Sequence, residues 1–138
     1  MTVKKVVLDT NLYIDWINRG LREDLMLGAG VVRYLSAVVL MELRAGARKR
    51  GDRLALDRLA RAHASGGRLL APGHQIFDRC GSLLRQLKLA GAEIRSASLV
   101  NDVLIALSAR AIGATVMTAN VTDFEAIRKL EPFSLETV

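Results

Sequence analysis

Cysteine is almost missing from this chain. The single residue, Cys80, can form no internal disulfide, so nothing in the cysteine usage asks for an oxidising compartment. Aromatic residues make up only 4% of the sequence, which leaves the core to aliphatic side chains. Long apolar runs are also lacking. None reaches the ~18 residues that a membrane-spanning helix needs. The start has no secretory signal pattern, because the apolar run after Lys4-Lys5 is short and Asp9 interrupts it. Together these absences predict a cytoplasmic protein with no membrane contact. Paired ligand spacing is missing for His63 and His74, and the scattered glycines form no Walker-type phosphate loop. Cys80 has no nucleophile context.

What is present predicts one globular domain over residues 1–138. The composition, 51% hydrophobic and 25% charged, suits a chain with a real core. The net charge is +6, a modest argument for a polyanionic partner that solubility alone would also explain.

Val-rich stretches at 3–8, 31–35 and 114–118 read as strands, with a short strand at 68–71 and an edge strand at 133–135. Helical spacing begins at Leu12 and ends at Asn18-Arg19-Gly20, while 21–27 is ambiguous. Ser36 is an N-cap for a helix to about Ala47, and Arg48-Lys49-Arg50-Gly51 is a basic turn. Further helices follow at about 54–65, from Pro72-Gly73 to near Gly91, at 98–111, and from Thr122 to Leu130. A Thr122/Glu125 capping box opens the last. Strands alternating with helices predict an α/β fold with a parallel sheet covered on both faces. Ligands of such sheets bind at the carboxyl ends of the strands, where Asp9 and Thr118-Ala119-Asn120 fall.

Four acids lie beside apolar elements. Asp9 ends the run Val6-Val7-Leu8, Glu42 sits inside the helix Ala37-Val38-Val39-Leu40-Met41-Glu42-Leu43, Asp102 opens the helix at 98, and Asp123 opens the one at 122. Singly, each has a plain explanation. Asp9 would cap a helix, and first-turn acids at 102 and 123 would gain ~0.3–1 kcal/mol from the helix dipole. Glu42 resists this, because a helix interior flanked by Val and Leu is a poor place for an unpaired charge. Together the four would repel and raise one another's pKa unless a hard divalent cation, Mg²⁺ or Mn²⁺, joined them. Such an ion activates water and neutralises phosphate charge. With these four set aside, ten acids face twenty cations, leaving +10 on the rest of the chain. An acidic pit in a basic surface fits a nuclease. Arg44, Arg48, Lys49, Arg50 and Arg53 are the cations nearest Glu42 in sequence, and a solvated turn would carry them equally well.

At this point the sequence resembles the PIN-domain ribonucleases, in particular the toxins of VapBC-type toxin–antitoxin pairs. The residues that carry the resemblance are Val7-Leu8-Asp9-Thr10-Asn11, Ser36-Ala37-Val38-Val39-Leu40-Met41-Glu42-Leu43, Asn101-Asp102-Val103-Leu104-Ile105-Ala106 and Thr118-Ala119-Asn120-Val121-Thr122-Asp123-Phe124. Each motif is short, but four in order span nearly the whole chain. The resemblance implies a PIN-like fold, a central five-stranded parallel sheet flanked by helices. It implies an Mg²⁺- or Mn²⁺-dependent endoribonuclease, with tRNA or rRNA among the possible substrates. Carried onto this chain, Asp9, Glu42, Asp102 and Asp123 form the catalytic metal site, Glu42 through a water. Thr10, Asn11, Thr118 and Asn120 orient them, and Asn120 is a rival or companion to Asp123. A cognate antitoxin and a homodimer or toxin–antitoxin hetero-oligomer are further implications. Leu12, Tyr13, Trp16 and Ile17 would serve either such a contact or the core.

Two other readings stay open from sequence alone. A haloacid-dehalogenase-like phosphatase would use Asp9 as nucleophile, but it needs a second Asp where Asn11 stands. A catalytically silent PIN-like RNA-binding module would have no need for all four acids.

Overall fold

The computed structural model describes residues 3–91 and 97–138. Strands β1 (Lys4–Leu8), β2 (Val31–Ser36), β3 (Leu69–Leu70), β4 (Thr115–Thr118) and β5 (Leu135–Thr137) form one sheet in the order β3-β2-β1-β4-β5. Every pairing is parallel. Successive side chains of a strand face opposite sides. Val6, Val7 and Leu8 are nevertheless all at most 1% exposed, so helices cover both faces of β1.

Among the described residues seven helices connect and cover the strands: α1 (Thr10–Arg19), α2 (Glu23–Leu27), α3 (Ala37–Gly46), α4 (Arg50–Ser65), α5 (His74–Leu89), α6 (Ala97–Ala111) and α7 (Thr122–Leu130). Helix α6 is apolar around most of its circumference, and Leu99, Val103, Leu104, Ile105, Ala106, Leu107 and Ala109 are buried on it. It packs against α3, α5, α7 and β4, as such a helix must. No helix among the described residues is long and apolar enough to cross a membrane.

The chain builds outward from β1 through β2 to β3, then returns to the other side of β1 for β4 and β5. The sheet therefore has its switch point between β1 and β4. There the Asp9 N–H donates to the Met117 carbonyl at 2.9 Å, at the carboxyl ends where such sheets bind ligands.

Several local expectations need correction. Helix α1 starts at Thr10, two residues before its apolar pattern, because Asp9 caps it. The ambiguous 21–27 contains α2. Arg50 and Gly51 belong to α4 and not to a turn. The capping box at Thr122 does not form. Val121 precedes the helix without a side-chain cap, Asn120 Oδ1 accepts from the Thr122 N–H at 3.4 Å, and Glu125 pairs with Arg128. The last strand lies at Leu135–Thr137, not 133–135, because pairing with β4 sets its register.

Candidate active site

The crevice between β1 and β4 is built from one residue at each strand end and from the helices that follow. Asp9 leaves β1 and becomes the N-cap of α1, its Oδ1 accepting the Thr10 N–H at 2.8 Å. Its Oδ2 accepts the Thr118 hydroxyl at 2.8 Å. Thr118, the last residue of β4, is fully buried, and its hydroxyl also accepts the Asn120 N–H at 3.0 Å. A carboxylate only 7% exposed thus has both oxygens held. Burial raises its pKa, the two hydrogen bonds pull it back, and the Glu42 charge pushes it up again.

Ser36 positions the second acid. Its Oγ accepts the N–H groups of Val38 and Val39 at 3.1 and 3.3 Å and starts α3 at the end of β2. One and a half turns on, Glu42 points toward α1, where the Thr10 hydroxyl donates to its Oε1 at 2.6 Å. The carboxylate misplaced by composition therefore has a partner thirty-two residues away in sequence.

Asp102 lies in the second turn of α6, since that helix begins at Ala97 and has no acid in its first turn. Its dipole explanation is weakened accordingly. Burial pushes its pKa up to about 8, and the charges of Asp9, Asp123 and Glu42 add to the shift in that order. All four acids thus share one electrostatic neighbourhood. Asp123 is in the first turn of α7, where the dipole does favour it.

Two expected helpers do not join the group through their side chains. Asn11 is exposed. Asn120 is exposed too, and its amide oxygen is turned to the Thr122 N–H, so only its backbone supports Thr118.

The donor set is all oxygen and carries more negative charge than a half-buried crevice tolerates, which suits a hard divalent cation. Among the described residues no three acids are drawn into a closed ligand cage. His63 is elsewhere, buried, its Nδ1 hydrogen-bonded to the Leu59 carbonyl at 2.8 Å; His74 is exposed, and Cys80 is buried.

Residues 6–130 match the family model of the PIN domain. The chain belongs to the PIN-domain family. Solved structures agree with this PIN fold. A chain of VapBC2 from Rickettsia felis, bound to a DNA fragment from the pair's promoter, is 26% identical with a TM-score of 0.69, covering 97% of this chain and 98% of that one. A chain of DNA-bound VapBC from Salmonella typhimurium is 29% identical with a TM-score of 0.64, at 97% and 98% coverage. A chain of VapBC-5 from Mycobacterium tuberculosis, a toxin–antitoxin family member, is 26% identical with a TM-score of 0.58 and 97% coverage of both. No curated protein sequence matches the chain.

Burial in the structure decides what sequence spacing left open. Leu12 and Tyr13 are core residues, 0% and 2% exposed. Trp16 and Ile17 instead line a groove of about 580 Å³ between α1 and α4, opposite Asp52, Ala55, Arg58 and Leu59. The α4 residues of this groove were not singled out from sequence. Helix α3 contacts both α1 and α4 and so brings the two sides of the groove together.

Proposed function

We propose that residues 1–138 act as one PIN nuclease domain, the toxin of a toxin–antitoxin pair, which hydrolyses RNA phosphodiester bonds with Mg²⁺ or Mn²⁺. The observation that carries the reading is the convergence of charge at the sheet's switch point, where Asp102 feels Asp9, Asp123 and Glu42, and Asp9 also feels Glu42. The similarity to chains from toxin–antitoxin complexes supports the toxin role and an antitoxin as partner.

Asp9 and Asp102 are the direct ligands in this reading, and Asp123 completes the set. When bound, the cation lowers the pKa of a water and neutralises charge on the phosphate under attack. The chain's own residues supply the order. Thr118 and the Thr10 N–H fix both oxygens of Asp9, so the ligand costs little reorganisation. The Thr10 hydroxyl holds Glu42 at the rim of the cluster, where it acts through a water. The groove at Trp16 and Ile17 is the seat we assign to the antitoxin, an apolar floor with Asp52 and Arg58 as opposite charges on its walls.

The family assignment leaves the phosphatase reading without support. The silent binding module differs from the nuclease in one measurable respect. The purified chain, free of antitoxin, is expected to cleave single-stranded RNA with Mg²⁺ or Mn²⁺ and to stop in EDTA. Asp9→Asn should abolish cleavage in a protein that still melts cooperatively. Cleavage that persists in EDTA would overturn the metal mechanism, and metal-independent RNA binding without cleavage would favour the silent module.

A further inference from the structure

The strongest charge asymmetry of the molecule lies outside the acidic crevice. Residues 44–61 contain seven cations and two acids, which is five of the chain's net +6. Arg44, Arg48, Lys49, Arg50, Arg53, Arg58 and Arg61 are all exposed. Elsewhere many cations are matched: Lys4 by Glu136, Arg22 by Asp15, Arg79 and Arg110 by Glu131, and Arg128 by Glu125. In this segment one ion pair forms among the described residues, Arg44 with Asp57 at 2.9 Å. The second acid, Asp52, lines the groove beside Trp16.

The cations are also ordered. Arg53 donates to the Arg48 carbonyl at 2.8 Å, which pins Arg48 and Lys49 against the start of α4, where Arg50 follows. Along α4, Arg50, Leu54, Arg58 and Arg61 fall within about 80° of arc at 3.6 residues per turn. That stripe lies opposite Leu56 and His63, the buried residues of α4. The segment begins at Arg44 on α3, the helix that also carries Glu42. It carries no aromatic residue on which a base could stack.

We propose that this α3–α4 arm is the track for the RNA backbone, binding the phosphates on one side of the scissile bond without reading their bases. The inference rests on the nuclease reading above. It deepens that reading by separating two tasks. The crevice does the chemistry, and the arm supplies affinity that is electrostatic and independent of sequence. RNA selectivity then has to come from elsewhere on the molecule.

The test uses the full chain carrying Asp9→Asn, so that bound RNA is not consumed. Dissociation constants for two unrelated single-stranded RNAs are measured across a salt series. The triple variant Arg48→Gln/Lys49→Gln/Arg50→Gln is compared with the double variant Arg58→Gln/Arg61→Gln, and thermal melts check folding. Each lost phosphate contact should lower the salt slope by ~0.7, giving ~2 for the triple and ~1.4 for the double. Affinity should fall on the order of tenfold, equally for both RNAs. In the Asp9-containing protein the same changes should raise KM for RNA with kcat held within about twofold. An unchanged slope, or a loss confined to one RNA sequence, overturns the proposal. So does a triple variant that loses the antitoxin while keeping its RNA affinity, since that end of the arm would then be a protein interface; Arg58 is outside this criterion because it also borders the antitoxin groove. Arm-dependent RNA binding by a chain that never cleaves would leave this inference standing and remove the nuclease reading.

Discussion

Asp102 is the residue on which the account turns. Its carboxyl is raised from 3.8 to about 8, first by burial and then by Asp9, Asp123 and Glu42. Without a cation the folded chain holds a proton here that the unfolded chain has already released. The contribution of this group to stability is therefore fully present below about pH 4 and is lost as pH rises through about 8. Asp102→Asn should remove that penalty. In EDTA at pH 8 it is expected to raise Tm, with an effect on the order of 1 kcal/mol or ~4 °C, while abolishing cleavage. A Tm below that of the parent chain would contradict the charge argument. A second expectation concerns Thr118, whose hydroxyl holds Asp9. Thr118→Val should lower metal affinity or activity by ~10–100-fold, with Thr118→Ser restoring most of it. Glu42 could be singled out from sequence because a helix interior has no use for its charge. Its hydrogen bond to Thr10 could not, because no local pattern joins positions 10 and 42. The side-chain direction of Asn120 was equally hidden, since a turn residue next to two acids reads the same whether it points in or out.

Among the elements, α3 carries the most testable joint. Ser36 is 1% exposed and caps the helix that presents Glu42. Ser36→Ala is expected to cost ~1 kcal/mol, seen as a fall in Tm, and to weaken cleavage as the start of α3 frays. Trp16 belongs to the α1–α4 groove and is only partly buried. Trp16→Ala should weaken a co-purifying antitoxin by roughly tenfold or more, as loss of a buried aromatic anchor does, with a smaller change in Tm. Retained affinity would move the antitoxin seat elsewhere. Strong apolar patterns with clear breakers made β1, β2, β4 and most helices readable. Where the pattern is weak, position depends on tertiary pairing. Leu135-Glu136-Thr137 is an exposed three-residue edge whose position follows from hydrogen bonds to β4. The start of α4 was masked by its charge, because Arg50 and Gly51 look like a turn until the helix is seen to pack.

For the whole molecule, we propose one arrangement: a hard-cation site at the carboxyl ends of the parallel strands, with the exposed cations of α3 and α4 holding the RNA backbone. The proton on Asp102 gives this arrangement a specific signature. A cation that binds there must displace that proton, so apparent affinity should climb with pH up to about 8 and then level off. The most direct measurement is Mn²⁺ uptake by the purified, antitoxin-free chain at several pH values between 6 and 9, followed by paramagnetic resonance. We expect saturable binding that strengthens toward pH 8 and is lost in Asp9→Asn. Equal Mn²⁺ uptake by Asp9→Asn, or no uptake by the parent chain at any pH, would contradict the account.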